Sequence, residues 1–154
     1  MSRAVAPVLG TVLLVAVTVT LAAAVGAVAL AVPATPATET PVVLSASVNA
    51  SADRLTLGYE SGPPIDVRTL RVRVSVDGTP LAYQPPVPFF RSPGFPAAPT
   101  GPFNSGADPR WTPGETTSLR LSPKNTPKFD PGSTVTVRVY RNDVLFARLV
   151  VSAT

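Results

Sequence analysis

Val5-Ala6-Pro7-Val8-Leu9-Gly10-Thr11-Val12-Leu13-Leu14-Val15-Ala16-Val17-Thr18-Val19-Thr20-Leu21-Ala22-Ala23-Ala24-Val25-Gly26-Ala27-Val28-Ala29-Leu30-Ala31-Val32 decides how the rest of the chain is read. Only Pro7, Gly10, Thr11, Thr18, Thr20 and Gly26 depart from Ala, Val and Leu, and no charge falls between Arg3 and Glu39. As a helix the stretch would be ~42 Å long at ~1.5 Å per residue, and a bilayer core takes roughly 20 such residues. A helix of a soluble core keeps a polar face, and this segment has none. It belongs in lipid, in a core shared by several chains, or in a piece that is cut away.

Outward from it the pattern changes twice. Two Pro and three Thr between Pro33 and Thr40 make a short extended linker, taken as residues 33–41. From Val42 to Thr154 the period is two. Val42, Leu44, Ala46 and Val48 alternate with Val43, Ser45, Ser47 and Asn49, and Leu55, Leu57 and Tyr59 alternate with Thr56 and Gly58. Leu70, Val72, Val74 and Val76 do the same, and so do Val135, Val137 and Val139. Leu145, Ala147, Leu149 and Val151 are expected to share one side of the last segment. Asp77-Gly78 and Asn142-Asp143 stand where tight hairpin turns belong. Half-buried strands with no helical period between them predict an all-β domain, a small β-sandwich or open barrel. The expected fold class is thus a long hydrophobic N-terminal helix, residues 5–32, followed by a β-sandwich-like domain.

About 80–114 breaks the rhythm. Ten of the chain's 19 Pro lie from Pro80 to Pro113, with Tyr83, Phe89, Phe90, Phe95, Phe103 and Trp111 among them. Pro removes ladder donors, so a long loop is expected. Its aromatics either plug one end of the sandwich or form an outward surface for a partner subunit, a glycan or a solid surface.

Composition closes many chemistries. There is no Cys and no His in 154 residues, hence no disulfide, no thiolate and no imidazole base or ligand. The excess of 13 Lys+Arg over 9 Asp+Glu is too thin for a dedicated nucleic-acid binder. Gly58-Tyr59-Glu60-Ser61-Gly62 only superficially resembles a nucleophile elbow, with its Ser one place late. The acids are scattered and none has EF-hand spacing. No enzyme activity, cofactor, metal or nucleic-acid partner is expected.

Three fates fit the first 40 residues. A secretory signal peptide would use the small-x-small sites Ala27-Val28-Ala29 or Ala29-Leu30-Ala31, although its apolar run is about twice the usual 7–15 residues. A transmembrane anchor would keep Arg3 and the N-terminus in the cytoplasm. The third is suggested by order: Arg3-Ala4-Val5-Ala6-Pro7-Val8-Leu9-Gly10, followed by a Val/Leu/Ala/Thr-rich helix, closely resembles the N-terminal segment of archaeal type IV pilins. That family typically reads Arg-Ala-Val-Ser-Pro-Val-Ile-Gly, so Ala6 replaces its frequent Ser.

The resemblance implies a leader at residues 1–4, with a prepilin-class membrane peptidase reading Arg3 and Ala4 and cutting before Val5. It implies a helix that lies in membrane lipid first and in a filament core later, among other pilin subunits, in a homo- or heteropolymer built by a pilus assembly machinery. It implies a membrane protein, N-terminus cytoplasmic, that becomes part of an extracellular filament for adhesion. The alternative is a membrane-anchored or secreted β-sandwich binding domain that does not polymerise.

Individual residues add to this. Pro7 falls in the first helical turn, where a missing N–H costs least. Ala6 and Gly10, and Ala22 and Gly26, are four apart, a spacing of small residues that lets helix backbones approach. Thr11 and Thr18 can return their hydroxyls to the helix backbone. Asn49-Ala50-Ser51 is a possible N-glycosylation site at Asn49. Arg71 and Arg73 share the polar face of one strand, with Arg138 and Arg148 on segments that would neighbour it; a solvated face or a contact with acidic groups is expected there.

Overall fold

The computed structural model describes residues 5–30 and 40–154, which belong to two compact units, residues 1–39 and 40–154. Arg3, Ala4, Ala31, Val32 and nearly all of the linker lie outside the described residues.

In the first unit, α1 (Val5–Leu30) runs for 26 residues, ~39 Å at ~1.5 Å per residue. Its described side chains, Val5 to Ala27, are all exposed. Val5–Ala27 is long and apolar enough to cross a membrane by length and composition. The threonines do not interrupt this surface, because they bond to their own helix. Thr11 Oγ1 donates to the carbonyls of Pro7 (3.2 Å) and Val8 (2.9 Å), and Thr20 Oγ1 to those of Ala16 (3.1 Å) and Val17 (2.9 Å). Thr18 donates to the Leu14 carbonyl.

The second unit is all β, as the period-two pattern predicts. β1 (Val43–Asn49), β2 (Arg54–Ser61) and β7 (Thr116–Arg120) form an antiparallel sheet in the order β1-β2-β7. β4 (Leu70–Val76), β5 (Thr79–Pro80), β8 (Thr134–Arg141) and β9 (Val144–Ser152) form another, in the order β5-β4-β8-β9. The short β3 (Ile65–Asp66) and β6 (Arg110–Trp111) pair with each other. Both hairpin expectations hold. Asp77 and Gly78 have φ of 47° and 81°, and Asn142 and Asp143 have 48° and 65°, the positive values a type I′ turn requires. Beyond β9 the chain returns to β1, where Ala50 N–H donates to Thr154 O (2.7 Å) and Thr154 N–H to Val48 O (3.0 Å).

The inner faces carry the core. Val48, Leu55, Leu57, Leu119, Val72, Val74, Val135, Val137 and Val139 are all buried. Trp111 and Phe103 are fully enclosed. Their ring centroids are 5.2 Å apart, and Tyr59 lies 5.5 Å from Trp111. The Trp111 indole N–H donates to the Glu115 carbonyl at 3.2 Å, and the Tyr59 hydroxyl donates to Pro63 O, so these large side chains bury no orphaned polar group.

One expectation about β9 needs correction. Leu145 does not share a side with Ala147, Leu149 and Val151. Ala147 stands opposite Val139 and Leu145 opposite Tyr140, so the ladder slips by one residue at Phe146. A β-bulge reverses the alternation beyond it. Phe146 packs toward the core in place of Leu145, which is 52% exposed.

Candidate functional site

Three surfaces carry the residues singled out by sequence. The first is α1. Ala6, Gly10, Ala22 and Gly26 are exposed, and a Cβ added at Gly10 or Gly26 would meet nothing within 4 Å. The helix therefore offers apolar surface around its whole circumference, with its hydroxyls already internally bonded.

The second surface is the Pro-rich loop. Its aromatics divide between the two readings: Phe89, Phe95, Phe103 and Trp111 are buried in the core, whereas Tyr83 and Phe90 are 44% and 58% exposed. Phe89 and Phe95 pack at 5.2 Å. Three residues that sequence reasoning passed over hold this loop in place, Asn125 and Gln84 by their side chains and Thr100 by its backbone. Buried Asn125 accepts from Tyr83 N–H (3.0 Å) and donates to the carbonyls of Tyr83 (2.9 Å) and Gly94 (3.3 Å). Gln84 accepts from Val74 N–H (2.7 Å) and donates to Val74 O (2.9 Å), standing in for a strand beside β4. Thr100 O accepts from the Thr117 hydroxyl (2.6 Å), and Thr100 N–H donates to Ser118 O (2.9 Å) along β7. Phe90, Arg91, Ser92, Pro93, Phe95 and Pro96 border an open cleft of about 560 Å³. No signal short of the folded chain marks Asn125 as a clamp, because its partners are 31 and 42 residues away.

The third surface is the outer face of the four-stranded sheet. Arg71 forms an ion pair with Asp143 at 2.8 Å. In the next row, Arg73 stands opposite Arg138, and Arg138 opposite Arg148. On the other sheet, Arg54 stands opposite Arg120.

Elsewhere the chemistry is structural. Asp66 accepts from Arg68 Nη2 (2.6 Å) and from Arg68 N–H (2.9 Å), which holds its carboxyl down to about 2. Burial pushes the Tyr59 phenol up, with the charge of Arg141 opposing. Lys128 joins Asp53 (2.9 Å) and the Ser122 carbonyl (2.9 Å) at the turn after β1. Gly58 to Ser61 lie along β2, where Tyr59 is in the core and Glu60 accepts from Ser45 Oγ at 2.6 Å. Among the described residues no cluster of acids could hold a metal ion. Asn49 is exposed at the end of β1. Its Oδ1 accepts from Ser51 Oγ (2.7 Å) and Ala52 N–H (3.0 Å).

Fold and surfaces together define the class: among the described residues, one apolar helix of membrane-crossing length and an antiparallel β unit. Compared with protein-family models and with curated proteins, the chain matches none.

Proposed function

We propose that the chain is a structural subunit of a type IV pilin-like filament that serves adhesion to surfaces or contact between cells. The observation that carries the reading is α1: apolar on every side, free of charge, and with small residues four apart. Such a surface is unstable in water and needs lipid or other copies of itself. The Arg3-to-Gly10 order, which resembles the start of archaeal type IV pilins, supports a processing signal at Arg3 and Ala4, just before the helix. Cutting before Val5 removes Arg3, the cytoplasmic charge that would hold the helix in the membrane, and leaves the helix free to move from lipid into a filament core. The β unit has its own core and faces outward from that filament.

The test is substitution of the signal. Arg3→Ala, or Ala4→Phe, is expected to leave the precursor at its full mass and to remove the protein from sheared filaments. A mature mass unchanged from the wild type in both variants overturns the reading. A second reading, a β-domain that is anchored or secreted and does not polymerise, is favoured by exposed Phe90 over its cleft. It predicts the protein in membrane or medium and never in a sedimenting filament fraction.

A further inference from the structure

We propose that the outer face of the four-stranded sheet is a binding site for an anionic polysaccharide, recognised by the row Arg73–Arg138–Arg148. These residues lie directly across β4, β8 and β9. Strands in a sheet are spaced by about 4.7–4.9 Å, so the three backbone positions that carry these arginines stand at about that interval. Directly opposed like charges weaken a sheet. Here nothing offsets them: among the described residues none of the three has an ion-pair partner, and Asp143, the acid in the adjoining groove, is held by Arg71 at 2.8 Å. A fold that keeps such a row gains from an outside anion.

The row is too short and too isolated for nucleic acid. Val150 on one flank and Leu145 on the other are apolar, and the whole chain carries only +4. A second copy of the chain is a poor occupant as well. Every carboxylate from Thr40 to Thr154 except Asp130 already accepts a hydrogen bond or an ion pair within its own chain. A linear glycan fits better. Its sulfate or uronate groups match the flat donor fork of arginine, and Tyr140 and Thr136, in the rows on either side of Arg138, supply an aromatic ring and a hydroxyl for sugar. The proposal concerns the β unit and stands whether or not the chain polymerises.

The experiment uses the full chain in non-ionic detergent. Probes are a sulfated oligosaccharide, a uronate oligosaccharide, an uncharged oligosaccharide of equal length, single-stranded DNA and polyglutamate, followed by fluorescence anisotropy across a salt series. One or both acidic oligosaccharides should bind and the uncharged one should not; which of them binds identifies the anionic group. Arg138→Gln should weaken binding at least about tenfold, as expected for loss of a charged hydrogen-bonding partner, and lower the salt slope by about one. Lys124→Gln, which removes the same charge from an exposed turn, should leave the affinity within about twofold. Thermal unfolding of Arg138→Gln should be no lower than wild type, since a like-charge neighbour is gone, and so separates lost binding from lost fold. Equal affinity of wild type and Arg138→Gln overturns the proposal. So does binding of DNA or polyglutamate with both acidic oligosaccharides silent.

Discussion

Asp66 shows how far a neighbour two residues away can set a group's chemistry. Its carboxyl accepts from the Arg68 side chain and backbone, which lowers it from an ordinary 3.8 to about 2. A carboxyl lowered in the folded state adds stability that is present above about 3.8 and is lost as pH falls through about 2. A carbon-detected NMR titration should place the Asp66 midpoint near 2, and Arg68→Gln should return it toward 3.8. Trp111 makes the opposite point, that volume matters more than charge in the core. It is fully buried against Tyr59 and Phe103. Trp111→Ala should cost about 3–5 kcal/mol in denaturant unfolding, because the cavity cannot collapse onto two other rings. A loss under about 1 kcal/mol would mean that the rings repack, contrary to the enclosed cluster described above.

At the scale of elements, what the sequence shows depends on whether the signal is local. The helix is legible because its composition alone defines it, and the strands β1, β2, β4 and β8 because Val and Leu alternate on one buried face. Asp77-Gly78 and Asn142-Asp143 are legible because few dipeptides accept two positive φ values. β7 is not, since Thr117 fills a buried position that a hydrophobic pattern would give to Val or Leu. The Phe146 bulge is equally silent: it depends on the pairing of β9 with β8, and only then does Leu145 turn outward. The loop's division into buried and exposed aromatics rests on Asn125, Gln84 and Thr100, whose partners are distant in sequence. Of the candidate sites, the arginines are visible as residues, but the straightness of their row follows from register.

The helix carries its own prediction. Val15 lies mid-helix on a surface that has no polar side. Val15→Asp should cost roughly 2.5–3.5 kcal/mol of membrane insertion. Alkaline extraction of membranes reads this directly: wild type should stay in the pellet, and the variant should move to the supernatant. Equal retention of both would mean that α1 is not lipid-embedded.

For the whole molecule, the two units have opposite needs. The β unit satisfies its polar groups internally: no buried side-chain nitrogen or oxygen among the described residues lacks a partner. Its core draws on both main sheets and on the Pro-rich loop. The helix satisfies only its backbone and its threonines, and its apolar surface requires an environment from outside. A filament core and a bilayer are alternative answers to the same requirement, and a cut before Val5 is what would let one helix use both in turn. The central claim is therefore about where the mature chain begins and where it is found. The direct measurement is the intact mass and N-terminal sequence of the native protein, taken separately from membranes, sheared filaments and medium. The account predicts a chain starting at Val5 in the filament fraction. A chain starting near Val32, free in the medium, would contradict it.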